Sequence, residues 1–173
     1  MSIENPGGIV SPYVAKHARP SAPGESALDV PCGRGRHTFH LAGLGYEVTA
    51  IDNDPRQIAE VEHGLGTRGL NIKTVLGDAN AALSVPPNSF HLMVTTHFVS
   101  DALILQLPRL LIPGGLFIYE TFGAYGQNWR GLPLIGAMRE QLRSRFDLLD
   151  YRERSAGPRS ASVAVVKAVA RLR

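Results

Sequence analysis

An acidic residue, two glycines and three basic side chains follow one another in the segment LDVPCGRGRH, residues 28–37. Asp29 closes a short apolar run, and Gly33 and Gly35 stand four and six residues beyond it. An ordinary surface turn does not need two glycines at this spacing, whereas a backbone that must come close to a ligand does. If a helix begins at about Arg36, its free N–H groups also point at whatever the loop holds. The segment therefore predicts a loop that binds a ligand with its backbone.

Polar side chains also close the apolar runs that come later in the chain. Asp52 follows YEVTAI directly, Asp78 follows NIKTVLG, and the run SFHLMVTTH ends on Thr96 and His97. Glu120 lies within LFIYETF. A carboxylate can accept hydrogen bonds from two donors at once, and histidine changes its charge close to neutral pH. These side chains could hold a polar ligand or move a proton if the fold brings the ends of the runs together.

Apolar runs of strand length alternate with helical patterns along most of the chain. We predict strands at 26–30, 46–51, 71–76, 89–97, 116–122, 146–154 and 161–171, and helices within 11–19, 36–44, 54–65, 100–111 and 134–145. This alternation favours right-handed crossovers and a mainly parallel sheet. The last two strands have no helix between them, so they should form an antiparallel hairpin. The predicted fold is α/β, a Rossmann-like three-layer sandwich with a mostly parallel seven-stranded sheet, in which ligands bind at the carboxyl ends of the strands.

The helix expected at 54–65 has the clearest start. Asp54 can cap it, Pro55 suits its first position, and Gln57 completes a capping box. The segment Pro113-Gly114-Gly115 predicts a turn before the fifth strand, and Pro108 leaves the end of the preceding helix open.

Two cofactors commonly occupy a glycine loop after the first strand. The dinucleotide fingerprint G-x-G-x-x-G needs a third glycine for close helix packing, and Thr38 stands at that position. The alternative spacing, acidic-x-Gly-x-Gly-x-Gly, fits with one departure, because Pro31 occupies the first glycine position.

At this point the chain resembles the class I S-adenosylmethionine-dependent methyltransferases. LDVPCGRGRH is similar to the first motif of that family, VTAIDNDP to the second, LGDAN to the third, and LLIPGGLFIYETF to the region that enters strand five. The ETF ending resembles the small single-domain branch that includes tellurite-resistance-like proteins. The resemblance runs from about residue 11 to the C-terminus, and the final hairpin agrees with it because strand seven of this fold runs opposite to the others.

The resemblance implies S-adenosylmethionine as the cofactor and assigns a role to each matching position. Asp29 would accept from the methionine amino group, directly or through the loop and water, and Gly33 and Gly35 would let the backbone pass against the amino acid part. Asp52 would accept both ribose hydroxyls, and Asp78 the adenine amino group, with Ala79 or Asn80 near the ring. The cofactor-binding residues implied in this way are Asp29, Cys32, Gly33, Gly35, Asp52, Asn53, Asp78, Ala79 and Thr96.

Methyl transfer from a sulfonium is an in-line displacement, so alignment and exclusion of water supply much of the acceleration. A general base is needed only when the acceptor holds a proton, and His97 is the best candidate. Glu120 could orient the acceptor or shape the wall near the sulfonium. Cys32 could be a nucleophile but is expected to pack. Acceptor contacts would come from the amino-terminal segment, from the end of strand four and from the loop 122–135, namely from Tyr13, His17, Phe98, Tyr125 and Trp129.

The fourth strand ends in TTHF and not in the Asn- or Asp-Pro-Pro-Tyr run of methyltransferases that act on nitrogens of DNA or of protein glutamine, so we expect a small-molecule acceptor. The net charge is +3 with basic residues spread along the chain, which disfavours nucleic-acid binding. The single Cys32 excludes a disulfide framework and a cysteine-rich metal site, so no metal is expected.

The length fits one methyltransferase domain over 1–173, with 1–24 as an amino-terminal cap segment. The chain has neither a signal peptide pattern nor an apolar run long enough to span a bilayer, so we expect a cytoplasmic protein. Two other functions stay open, a cofactor-binding module without catalysis that serves as a sensor or partner, and a nicotinamide-dependent reductase, which Thr38 and the terminal hairpin disfavour.

Overall fold

The computed structural model describes residues 5–66, 69–121 and 129–173, apart from the side chains of Trp129 and Arg159. Its strands are β1 Ser26–Asp29, β2 Glu47–Asp52, β3 Ile72–Leu76, β4 Phe90–Thr96, β5 Leu111–Glu120, β6 Phe146–Ala156 and β7 Val163–Leu172. Its α-helices are α1 Pro12–His17, α2 Arg36–Gly43, α3 Pro55–Leu65, α4 Asp101–Leu110 and α5 Ala137–Arg143, and short 3₁₀ turns cover Trp129–Gly131 and Arg159–Ala161.

The strands form one seven-stranded sheet in the order β3-β2-β1-β4-β5-β7-β6. The pairs from β3 to β5 are parallel, while β7 is antiparallel to both β5 and β6. The predicted mostly parallel sheet with a C-terminal antiparallel hairpin is confirmed. Because β1 lies between β2 and β4, the strand order reverses at the carboxyl end of β1, which is where ligands bind in open sheets of this kind.

Apolar side chains cover both faces of the sheet and make the three layers. On one face, Phe117 of β5 lies in a buried cluster with Leu107 of α4 and Leu142 of α5. On the other face, Leu92 of β4 lies in a buried cluster with Val14 of α1 and with apolar residues of α2. Burying an aliphatic side chain of this size contributes about 1.5–3 kcal/mol, so these clusters hold the strand ends in fixed positions.

Local structure departs from the sequence prediction at three points. Asp54 does cap α3, but its own N–H donates to Asp52 Oδ1 at 3.0 Å, so the expected reciprocal bond from Gln57 is wrong. β5 begins at Leu111, and Pro113-Gly114-Gly115 lies within the strand at a register irregularity, not in a turn before it. α5 begins only at Ala137, because Gly136 stands before it in the left-handed region with φ of +84°.

Within the described residues, we find no helix with the length and apolar character needed to cross a membrane.

Candidate functional site

The loop between β1 and α2 bends over the end of β2. The N–H of Gly33 donates to Asp52 Oδ2 at 2.8 Å, and the N–H of Cys32 donates to the carbonyl of Ile51 at 2.8 Å. Asp52, the last residue of β2, is buried and also accepts the N–H of Asp54 through Oδ1. The loop and the carboxylate are therefore held together by hydrogen bonds within the protein.

The two glycines of the loop are required for different reasons. Both have left-handed φ angles, +53° at Gly33 and +83° at Gly35. A Cβ at Gly35 would stand 2.9 Å from Cγ2 of Val61 and 3.1 Å from the ring of Phe39, so this glycine allows α2 and α3 to pack. A Cβ at Gly33 would meet only Oε1 of Gln57 at 3.9 Å, which leaves a bare peptide facing open space.

Asp29 is the most deeply buried carboxyl group of the site, with 1% of its surface exposed. Its Oδ2 accepts the hydroxyl of Thr38 at 2.6 Å, and its buried Oδ1 has no hydrogen-bond partner among the residues described. Burial raises the pKa of Asp29 to about 7, although the hydrogen bonds from Thr38 act in the opposite direction. Thr38 occupies the position of the third glycine in the dinucleotide fingerprint, and its hydroxyl holds Asp29 by a hydrogen bond.

A cleft of about 560 Å³ opens above the loop. Its walls include Gly33 and Asp52 on one side, Thr96 and His97 on another, and Gly7 and Ile9 from the amino-terminal segment. The predicted cofactor residues Cys32, Gly33, Asp52 and Thr96 thus border one space together with the predicted base.

Residues 5–10, which we call the strap, lie across the start of α2. Asn5 Nδ2 donates to the carbonyl of Arg36 at 2.8 Å. A Cβ on Gly7 would be 2.2 Å from the backbone nitrogen of Arg36, so only glycine allows this approach. Sequence reasoning placed the acceptor cover at Tyr13 and His17 and missed Gly7, although the Gly-Gly pair at 7–8 is a signal for close backbone contact.

A chain of buried polar contacts anchors the end of the strap. The N–H of Ser11 donates to Nε2 of His37 at 3.3 Å, and Nδ1 of His37 is 3.4 Å from the hydroxyl of Thr96. Burial lowers the pKa of His37 to about 3, with further lowering by Arg36 and other neighbouring basic residues. His37 is therefore neutral near pH 7, with the proton on Nδ1, because Nε2 must accept from Ser11.

Ser11 also donates its hydroxyl to Oε2 of Glu120, whose Oε1 is 2.6 Å from Nζ of Lys167. Glu120 is 4% exposed, and each of its two carboxylate oxygens has one of these partners within the protein. These contacts favour a tethering role for Glu120, and its predicted contact with the acceptor stays a prediction. The sequence indicated Ser11 as a possible helix start and His37 as a possible anion-binding residue, but not their hydrogen bonds to each other, because the partners are far apart in the chain.

His97 lines the cleft in a strained conformation, with φ of +59°. Its N–H donates to the carbonyl of Glu120 at 2.7 Å, and its Nε2 is 3.3 Å from Nη2 of Arg36. Burial and, after it, the positive charge of Arg36 lower the pKa of His97, against a smaller raising effect of Glu120. Its imidazole is thus held unprotonated beside the cleft, and strained residues of this kind cluster at functional sites.

Three other predicted cofactor residues lie around the end of the sheet. Cys32 is buried among Phe39, Ala50 and their neighbours, and burial raises the pKa of its thiol, so it packs and is no nucleophile. Asn53 is exposed directly after β2. Asp78 is exposed and its Oδ1 accepts the N–H of Asn80 at 2.8 Å, a turn contact.

Ala79 is buried in the main core cluster, and Phe98 is packed against the same cluster. Of the predicted acceptor residues, Tyr13 donates its hydroxyl to Asp150 at 3.1 Å, and His17 Nε2 is 3.4 Å from the same carboxylate, so both face β6. Tyr125 lies outside the described residues, as does the side chain of Trp129.

The arrangement fits S-adenosylmethionine on three counts. Asp29 has an unpartnered buried oxygen that can accept from an ammonium group, although Asp29 is not among the residues that line the cleft, and Gly33 presents a bare peptide to the cleft. A carboxylate has about four acceptor positions. Asp52 uses two for Gly33 and Asp54, which leaves acceptor positions for two hydroxyls. Among the described residues, no group of three or more histidine, cysteine or acidic side chains could hold a metal ion.

The model of the methyltransferase domain family matches residues 27–115, which is about half of the chain. The chain therefore belongs to this family. The predicted class, a class I S-adenosylmethionine-dependent methyltransferase, and its cofactor are confirmed.

Curated relatives agree with this assignment. The chain is 44% identical over 55 residues to the probable S-adenosyl-L-methionine-dependent methyltransferase TehB of Haemophilus influenzae (strain 10810), an alignment of 32% of this chain and 19% of that protein. It is 29% identical over 99 residues to the ubiquinone biosynthesis O-methyltransferase of Caulobacter sp. (strain K31), covering 54% of this chain and 39% of the relative. The chain thus spans less than half the length of these two relatives.

The fold is also similar to the crystal structure of a SAM-dependent methyltransferase from Methanosarcina mazei. The TM-score is 0.68 at 20% sequence identity, with 94% of this chain and 98% of that chain covered.

Proposed function

We propose that this protein transfers a methyl group from S-adenosylmethionine to a small-molecule acceptor at the cleft above the glycine loop. The observation that carries the proposal is the joined pair of Gly33 and Asp52 beside the unpartnered Oδ1 of Asp29. When bound, the cofactor supplies a methyl group already activated on a sulfonium.

The residues of this chain have separate tasks in the proposal. Asp29 accepts from the ammonium group through Oδ1, which requires its ionised form. Asp52 accepts the two ribose hydroxyls with the positions that Gly33 and Asp54 leave free. Asp78 reaches the adenine end, because the N–H of Gly77 donates to the carbonyl of Asp52 at 2.9 Å and so holds the next residue beside β2. Asn53 and Ala79 border the same end.

On the acceptor side, His97 holds an unprotonated imidazole where it can take a proton from the nucleophile. Its Nε2 accepts from Arg36, so the acceptor must replace this contact to use Nε2 as a base. Thr96, bonded to His37, fixes the wall next to it. The strap excludes water from one side of the cleft, which favours an in-line displacement.

Two observations favour a small molecule as acceptor. The fourth strand leads into Thr95-Thr96-His97-Phe98, without the Pro-Pro-Tyr run that grips an exocyclic or amide nitrogen. One relative is named for ubiquinone biosynthesis, which is a small-molecule pathway, although that name describes the relative only.

Calorimetry with S-adenosylhomocysteine and NADH, followed by labelled methyl transfer to a panel of small oxygen, nitrogen, sulfur and oxyanion acceptors, tests this function. We expect saturable binding of S-adenosylhomocysteine, no binding of NADH, and transfer to at least one acceptor. Binding without transfer to any acceptor would favour the binding module without catalysis. Binding of NADH alone would reject the proposal.

A further inference from the structure

A second cleft, which we call the basic cleft, lies between α1 and the C-terminal hairpin and has a volume of about 510 Å³. Four of the residues that line it are cations, namely Lys16, Arg152, Arg154 and Lys167. Lys16 comes from α1, the two arginines from β6 and Lys167 from β7. Because residues two apart on a strand share a face, the two arginines point to the same side of the sheet.

Only two of these four cations have acidic partners. Lys167 is 2.6 Å from Glu120, and Nε of Arg152 is 3.3 Å from Asp150. In the ranges of the chain that the structure covers, Lys16 and Arg154 contact no carboxylate. Asp150 also accepts the hydroxyl of Tyr13, so the acidic groups around the cleft are already engaged. The basic cleft therefore keeps an excess of two positive charges.

The neighbouring histidine does not add to this excess. His17 is close to Asp150, which by itself would favour its charged form, yet its pKa is lowered. Burial is the main cause, and the positive charges of Lys16 and Arg152 add to it.

The register of the hairpin brings like charges together. Arg152 of β6 stands directly opposite Lys167 of β7. Like charges in such a pair are destabilising, whereas an aliphatic pair there would favour the hairpin. If these cations served only to keep the surface solvated, the fold would not need to place two of them opposite each other inside a cleft. Asp150 and Glu120 offset part of this repulsion, and an anion in the basic cleft would reduce what remains.

We propose that the basic cleft binds the phosphate or carboxylate group of a small molecule. Arg154 and Arg152 present guanidinium groups that can bind such a group through two parallel hydrogen bonds, and Lys16 adds a point charge. Val165, opposite Arg154, and Pro12 give the cleft apolar walls for an organic body. Among the described lining residues Tyr13 is the aromatic one and it is buried, so this part of the cleft offers no stacking surface for nucleic-acid bases.

The proposal does not depend on methyl transfer, since none of these cations contacts the glycine loop. The basic cleft nevertheless adjoins the first cleft through Glu120, which contacts both Lys167 and Ser11.

The test is a titration of the ¹⁵N-labelled full chain with inorganic phosphate at low salt, in the presence of S-adenosylhomocysteine, followed by amide chemical shifts. We expect saturable shifts confined to residues 12–17, 150–156 and 163–168. The double variant Lys16→Ala/Arg154→Ala should bind phosphate at least five-fold more weakly. The matched variant Lys73→Ala/Arg143→Ala removes the same two side-chain types from exposed positions elsewhere and should bind phosphate like the wild type.

A comparison of phenyl phosphate with inorganic phosphate shows whether the cleft binds the acid group of a larger molecule or a free anion. Binding at least three-fold tighter than inorganic phosphate would assign the cleft to the acid group of a larger molecule, and equal binding would assign it to a free anion. The proposal is overturned if the cleft variant binds phosphate as tightly as the wild type, or if shifts occur elsewhere. It is also overturned if a short single-stranded oligonucleotide binds the same residues more than 100-fold tighter than phenyl phosphate. Because S-adenosylhomocysteine binding is read in the same samples, failure of this site is distinguishable from failure of the methyltransferase proposal.

Discussion

At the scale of single residues, one carboxyl group of the site is deeply buried and another is held in place by backbone hydrogen bonds. Asp29 is buried with one oxygen unpartnered, and burial raises its pKa to about 7. Asp52 already holds Gly33, so its geometry is fixed before any ligand arrives. The sequence could indicate both residues, because each closes an apolar run. It could not indicate the unpartnered oxygen of Asp29, because that depends on Thr38 and on packing.

The raised pKa of Asp29 predicts proton release on cofactor binding. At pH 6 the free protein holds Asp29 mostly protonated, and an ammonium group next to Oδ1 favours the ionised form and lowers its pKa. Calorimetry with S-adenosylhomocysteine in buffers of different ionisation enthalpy should detect release of up to about one proton. At pH 9 the release should vanish, and Asp29→Asn should abolish it at pH 6. A binding heat at pH 6 that does not depend on the buffer would exclude this role of Asp29.

His97→Ala should lower kcat by about 10²–10⁴-fold for an acceptor that carries a proton, the usual contribution of a general base. The affinity for S-adenosylhomocysteine should stay within about two-fold, because no cofactor contact is assigned to this imidazole. Full turnover by the variant would remove His97 as the base.

The charge of Arg36 allows the role of His97 to be tested through the pH dependence of activity. A base must be unprotonated, and Arg36 helps to lower the pKa of His97, so activity should persist below pH 6.5 and then fall. Arg36→Met should raise this pKa and move the acidic limb of the kcat profile to higher pH. An unchanged acidic limb would contradict the assignment.

At the scale of elements, the alternation of apolar runs predicted every strand and every α-helix, because each has a clear period or a clear start signal. β5 was predicted too short, since the Pro-Gly-Gly segment is typical of a turn. In the structure Leu111 and Leu116 pair with β4 on either side of this segment, which lies at the register irregularity between them. The strap was missed for a similar reason. Gly7 meets Arg36, almost thirty positions away, and only the folded chain makes that contact.

Replacement of Gly7 by alanine tests the strap. The new Cβ would collide with backbone at 2.2 Å, so the strap must leave α2. We expect the free energy of unfolding to fall by about 1–3 kcal/mol, as in other overpacked sites. S-adenosylhomocysteine should also dissociate faster, which stopped-flow fluorescence can measure. Gly43→Ala, where a Cβ meets nothing within 4 Å, is the matched control. It should leave the dissociation rate unchanged and, because Gly43 lies within α2, raise the free energy of unfolding by about 0.5–1 kcal/mol. A normal dissociation rate for Gly7→Ala would show that the strap does not cover the cofactor.

At the scale of the whole molecule, the sheet order places all the proposed groups at one edge. β1, β2 and β4 end on Asp29, Asp52 and Thr96, and β5 ends on Glu120 beside Thr96 in the register. This edge could be predicted from the sequence, since parallel strands share a direction. The polar chain from Thr96 through His37, Ser11 and Glu120 to Lys167 could not, because it joins five distant parts of the chain.

The most direct test of the central claim, that the glycine loop and Asp52 bind the adenosyl cofactor together, is the dissociation constant of S-adenosylhomocysteine for Asp52→Ala. Loss of hydrogen bonds to a carboxylate should weaken binding by about 1.5–3 kcal/mol, or roughly 10- to 150-fold. Asp147→Ala, which removes an exposed carboxylate from β6, should bind like the wild type. An Asp52→Ala variant that stays folded and keeps the wild-type dissociation constant would contradict the account.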